Sequence, residues 1–270
     1  MTLSPRRRLA ALITAATLMA ASAVLAGCSG SSSSASGDGP ATGRIVALLV
    51  DQTCDATPEL TGLSRDAFRK SVDAAAADQG TFLGEAITTD AYQTGTFGVS
   101  HSFTSDKKND RGVERDLGRQ ARDFADSTEA ADLTRGYVKG TDCGSDLINA
   151  LSAADRAFKD EPGYEGRARD LVFVTNGIVV DDEAGLNFVE DDITPAYTKK
   201  VIARQKAKDL FPDFSGVNVH LVGLGVSDQN VTATKVRQLE AFWEQLATEA
   251  GAADVATVRS AGQLAIGGEQ

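Results

Sequence analysis

Ile45-Val46-Ala47-Leu48-Leu49-Val50, followed at once by Asp51-Gln52-Thr53-Cys54-Asp55, is the stretch that decides the fold. An unbroken apolar run that stops at a polar loop reads as a strand buried on both faces, the signature of a parallel strand inside a covered sheet. The pattern returns in Asp170-Leu-Val-Phe-Val-Thr175, a second buried strand; Val217-Asn-Val-His-Leu-Val-Gly-Leu-Gly225 reads as a third strand and Asp254-Val-Ala-Thr-Val258 as a last one. Two shorter strands, Thr81 to Thr88 and Thr96 to Phe103, are close enough in sequence to form an antiparallel pair.

Helical segments separate these strands. Ser64 to Gly80 has helical content, with Ser64 as the expected N-cap and Gly80 as the stop. Val113, Leu117, Ala121 and Phe124 recur at helical spacing, and Leu147 to Phe158 follows a Gly/Asp/Ser-rich loop. Thr194 to Leu210 begins with proline in its first turn. Thr234 to Ala250 carries one apolar stripe of Val236, Leu239, Phe242, Trp243 and Leu246, which reads as core, and Gly251 ends it. Strands alternating with helices imply an α/β fold: a doubly wound, mostly parallel sheet with one antiparallel edge strand and helices on both faces. No repeat or second break in composition appears, so residues 44–270 are expected to form one domain.

The amino terminus reads as an address. Arg6-Arg7-Arg8 precede a run of small and apolar residues from Leu9 to Gly27, the form of a secretory signal. Leu25-Ala26-Gly27-Cys28 resembles the bacterial lipobox, which implies cleavage before Cys28 and lipid attachment to its thiol. Residues 28–43, rich in serine and glycine, then read as a flexible tether. The expected location is the extracytoplasmic face of a bacterial membrane, reached through the N-terminal lipid alone, since no later run is long and apolar enough to span.

Composition narrows the function. The 270 residues carry a formal charge of −11, and removing the three arginines of the first 27 residues takes it to −14. So acidic a chain lacks the electrostatic footprint of a nucleic-acid binder. Three cysteines and two histidines are too few for a four-thiolate zinc site and leave little for histidine-dependent catalysis. No G-x-S-x-G elbow, H-E-x-x-H, Walker loop or CxxC is present. His101 and His220 lie inside strand-like segments and read as structural. The runs Asp181-Asp182-Glu183 and Glu190-Asp191-Asp192 read as solvated surface, with a second cation site or a partner patch as the alternative.

Ligands of such sheets bind at the carboxyl ends of the strands. Three loops there are rich in oxygen donors: Asp51 to Asp55, Gly140-Thr141-Asp142-Cys143-Gly144-Ser145-Asp146, and Thr175-Asn176-Gly177. Together they resemble the metal-ion-dependent adhesion site of the von Willebrand factor type A domain. Asp51 and Thr53 match the first two positions of the family's D-x-S-x-S loop, and Thr141 matches its threonine. Asp55 stands where the family has a second serine, and Asn176 where it has aspartate. The resemblance covers roughly residues 44 to 258. It implies that Asp51, Thr53, Asp55, Thr141 and Asn176 hold Mg²⁺ or another divalent cation. The same residues read without the resemblance are turn formers and helix caps, and Asn176-Gly177 also fits a hairpin turn.

The cysteines divide accordingly. Cys28 takes the lipid, and Cys54 and Cys143 lie in two loops at the same strand ends. Outside the cytoplasm an even remainder is expected to be oxidised, and a Cys54–Cys143 disulfide would contribute roughly 4 to 5 kcal/mol in the chain-entropy model. The expected function is a lipid-anchored binding or adhesion module for a protein or envelope component, not an enzyme. The alternatives are a metal-dependent hydrolase or phosphatase using Asp51 and Asp55, or a scaffold of the same fold whose metal site has decayed.

Overall fold

The computed structural model describes residues 42–53, 57–87, 97–136, 146–181, 186–227 and 231–267. Cys28, the signal and most of the tether lie outside them, as do Cys54, Asp55, Thr141 and Cys143.

The quoted run forms β1 (Ile45–Asp51), buried along its whole length. It lies at the centre of a six-stranded sheet that also contains β2 (Thr81–Ile87), β3 (Val99–Ser102), β4 (Arg169–Val174), β7 (Val217–Val222) and β8 (Asp254–Val258). The spatial order is β3-β2-β1-β4-β7-β8, and all pairings are parallel except the edge pair β2–β3. The protein is therefore an α/β fold with one antiparallel edge strand. A short hairpin, β5 (Val180–Asp181) with β6 (Leu186–Asn187), stands apart from the sheet.

Alternation along β1 builds two cores. Val46, Leu48 and Val50 point to the side covered by α1 (Pro58–Ala77), α2 (Asp110–Ala125) and α3 (Thr128–Leu133). Ile45, Ala47 and Leu49 point to the side of α4 (Leu147–Asp160), α5 (Pro195–Ala207) and α6 (Ala233–Glu249). A strand packed on both faces has no position for a polar side chain, which is why β1 reads as continuous apolar sequence. The expected stripe of α6 holds from Leu239 to Leu246, and Trp243 is in the core with Phe173 and Phe242 against its ring edge-on. His101 likewise packs, stacked on Phe124 at 4.5 Å, and burial lowers its pKa despite the nearby Glu129.

Some boundaries differ from the sequence reading. α1 begins at Pro58, with Thr57 rather than Ser64 as its cap: the Thr57 hydroxyl accepts from the Leu60 amide at 3.1 Å. Ser64 lies inside the helix, its hydroxyl donating to the Leu60 carbonyl. A proline suits the first turn, where its missing N–H is no loss, so the true start was marked by Thr57-Pro58. At the other end Gln79, not Gly80, takes the left-handed conformation (φ 53°). Gly80 is needed for a different reason, since a Cβ there would lie 2.0 Å from the Arg44 carbonyl oxygen. β7 stops at Val222, three residues early, because Gly223 and Gly225 turn the chain with φ of 85° and 78°. α3, of six residues, and the β5–β6 pair, of two residues each, are too short to leave a periodic pattern in the sequence. Asn176-Gly177 is not a hairpin turn, for β4 pairs with β1 and β7 only in parallel. Among the described residues no helix is long and apolar enough to cross a membrane.

Candidate functional site

Strand order reverses beside β1: β2 and β3 lie on one side, and β4, β7 and β8 on the other. Helices leaving β1 and β4 cover opposite faces, and the strand ends at such a switch point are the usual place for a ligand in an open α/β sheet. Asp51 is the last residue of β1 and Thr175 the first after β4.

The two meet directly. The Thr175 hydroxyl donates to Asp51 Oδ2 at 2.7 Å, while Asp51 Oδ1 accepts the Thr53 amide at 3.0 Å and the Thr53 hydroxyl at 2.7 Å. Asp51 is 2% exposed, so water does little to solvate its charge, and hydrogen bonds to a carboxylate in such a place are strong. Thr175 in turn accepts the Gly177 amide at 2.9 Å. First and third loops are thus joined through one carboxylate and two hydroxyls.

Asn176 is fixed by a local turn. Its Oδ1 accepts the Ile178 amide at 2.8 Å, and its carbonyl accepts the Gly225 amide at 2.9 Å. The next residue must be glycine: Gly177 has φ 76°, and a Cβ there would stand 2.8 Å from Trp243 Nε1. That indole donates to the Gly177 carbonyl at 3.0 Å, so the core tryptophan also buttresses the third loop. Gln52, 6% exposed, reaches the other way and donates to the Asp132 and Leu133 carbonyls at 3.0 and 2.7 Å, binding the first loop to the end of α3.

Of the five residues the resemblance nominates, Asp51, Thr53 and Asn176 lie at these strand ends, Asp51 and Thr53 bonded to each other and the Asn176 side chain engaged in its own turn. Asp55 and Thr141 fall outside the described residues. Thr175 and Gln52 stand in the same loops, and the resemblance assigns neither a role. Thr175 could have been found as a hydroxyl directly after a strand that neighbours the Asp51 strand; Gln52 carried no signal, because its partners are backbone carbonyls of a helix the sequence did not announce. Asp146 caps α4 with backbone geometry and no cap hydrogen bond from its side chain.

The donors here are a carboxylate and hydroxyls, all hard oxygens, the set that Mg²⁺, Mn²⁺ and Ca²⁺ accept. Among the described residues no group of three His, Cys, Asp or Glu side chains could hold a metal ion. A cation at Asp51 would therefore rest on one carboxylate, on hydroxyl oxygens and on water within this part of the site. The acidic run near the third loop is partly committed: Asp191 accepts the Tyr197 hydroxyl at 2.9 Å, and Asp192 is bonded by the Gln238 amide. Burial, with that bond to Asp191, pushes the Tyr197 phenol up to about 12.

No protein-family model matches the chain, and no curated protein is recognisably similar to it.

Proposed function

We propose that this protein is a lipid-anchored binding module of the von Willebrand A type, which presents the loops at the carboxyl ends of its strands to a protein or envelope component on the extracytoplasmic face of a bacterial membrane. The observation that carries the reading is the Thr175–Asp51–Thr53 cluster at the point where strand order reverses. Asp51 is nearly buried at the end of β1 with its carboxylate oriented by the Thr53 and Thr175 hydroxyls, and hard oxygens of this kind are the donors a divalent cation accepts. Mg²⁺ or another divalent cation, when bound by Asp51, Thr53 and the loop residues Asp55, Thr141 and Asn176, supplies an electrophilic contact for an acidic group of the partner. The protein's own part is to hold the carboxylate still, through Thr53 and Thr175, and to keep the third loop in place, through Trp243.

The direction of display supports the same reading. Gly43, where the tether joins the domain, is gripped at the amino ends of the strands, its carbonyl accepting Arg167 Nε at 2.6 Å. Asp51 lies at the other end of β1, about 20 Å away at ~3.3 Å per residue. Loops at that end face away from the attachment point.

Crosslinking on intact cells, followed by capture of the wild type and of Asp51→Ala with and without a chelator, tests the function. Partners captured by the wild type and lost on both chelation and substitution are the expected result. Capture indifferent to both would remove the cation-dependent mechanism, and turnover of generic phosphoester or peptide substrates by the purified protein would favour a hydrolase instead. The Cys54–Cys143 disulfide is part of this proposal. Intact mass before and after reductant should differ by two hydrogens in the mature chain.

A further inference from the structure

On the flank of the domain α1 and the α2–α3 corner enclose a cleft of about 450 Å³. Arg65 and Arg69 from α1 and Arg135 from the segment after α3 stand around it, and Asp126 is the acid in its lining. Its apolar floor is Phe68, 3% exposed and held by ring contacts with Phe82 and Phe124 at 5.3 and 5.9 Å, beside the buried Ala130.

The placement of the arginines is not explained by the fold. Arg65 and Arg69 are one helical turn apart, where like charges repel, so α1 gains nothing from having both. Neither makes an ion pair among the described residues, although the chain carries an excess of acids and a net charge of −11. Arg135 pairs with Asp132 at 3.6 Å, but both side chains are well exposed and the contact is screened. Guanidinium groups left unmatched around a concavity create a local positive potential on a negative molecule, and concave low-dielectric walls focus it. The planar fork of arginine suits two-point binding of phosphate or carboxylate, whereas an apolar floor suits a ring or short hydrocarbon. The volume falls within the roughly 300–1,000 Å³ of small-molecule sites.

We propose that this cleft binds a small organic anion, a phosphate or carboxylate carried on a compact apolar body, with Arg65, Arg69 and Arg135 around the charge and Phe68 under the body. It does not depend on the strand-end reading, although both sites touch α3, which Gln52 ties to the first loop.

Phenyl phosphate and benzoate titrated into the purified full-length protein, followed by calorimetry and by ligand-observed NMR, test this. Both should bind, more weakly as salt is raised, and the tighter of the two identifies the preferred head group. The pair Arg65→Gln/Arg69→Gln should weaken binding at least about tenfold, while Arg237→Gln on α6 should leave it unchanged. Ala131→Leu, which narrows the cleft without altering charge, should also weaken it. All four side chains are outside the core, so unchanged melting curves will show that the variants fold. Absence of binding by the wild type at millimolar probe, or equal binding by the double arginine variant, would overturn the proposal.

Discussion

Asp170 lies near the amino ends of the parallel strands and Asp51 at their carboxyl ends, and both are almost inaccessible, at 1% and 2% exposure. They are held by different chemistry. Asp170 has the Arg44 guanidinium on Oδ2, with His220 Nε2 at 3.1 Å and Asn218 Nδ2 at 3.2 Å on Oδ1, and Arg44 continues to Asp78 at 2.8 Å. Asp51 has threonine hydroxyls and a backbone amide. A guanidinium cancels a carboxylate's charge and closes the amino end as a fixed structural knot, next to the attachment of the tether. Hydroxyls orient a carboxylate and leave its charge in place. One end of the sheet is closed by an ion pair, and the other is the end we propose meets a cation.

Breaking the amino-end knot should have the largest effect. Asp170→Ala leaves the half-buried Arg44 with Asp78 as its remaining carboxylate and takes the shared acceptor from His220 and Asn218, and should cost about 3 kcal/mol, read from the urea midpoint. Acid should act through the same residue. Burial alone would raise the Asp170 pKa, but the His220 bond and the Arg44 pair more than offset it and hold it below the ordinary carboxylate value. A carboxylate depressed in the fold contributes stability that is complete above its unfolded pKa of about 3.9 and is lost as pH falls through the folded value. Urea midpoints taken downward from pH 5 should therefore fall more steeply for the wild type than for Asp170→Asn; parallel curves would show that the knot stores no such stability.

At the carboxyl end the costs should be smaller. Thr175→Val removes both the donor to Asp51 and the acceptor of the Gly177 amide and should cost about 2 kcal/mol. Asp51→Asn keeps an oxygen for Thr53 and exchanges a charge for a neutral amide, so about 1 kcal/mol is expected in cation-free buffer. If Asp51→Asn proved as costly as Asp170→Asn, the contrast between the two ends would fail.

The sheet was legible because β1 and nearly all of β4 are buried and leave short apolar runs bounded by polar residues, with β7 marked by Val217, Val219, Leu221 and Val222. Helix ends were less legible: Ser64 and Thr57 are both capping residues, and only Pro58 beside Thr57 favours the true start. Within the site, Asp51 and Thr53 are two residues apart in sequence and could be read as a loop motif. The Thr175 hydroxyl could not, because its partner is 124 residues away and is reached only when β1 and β4 pair. The Arg65–Arg69 cleft was illegible for the same reason, since α1 alone shows two arginines among acids and the wall opposite them comes from α2 and α3.

Binding of Mn²⁺ followed by electron paramagnetic resonance, which counts the free ion directly, tests the central claim most closely. The account predicts one site on the wild-type protein, displaced by excess Mg²⁺ and absent in Asp51→Ala. Free Mn²⁺ undiminished by the wild type, or depleted equally by Asp51→Ala, would contradict it.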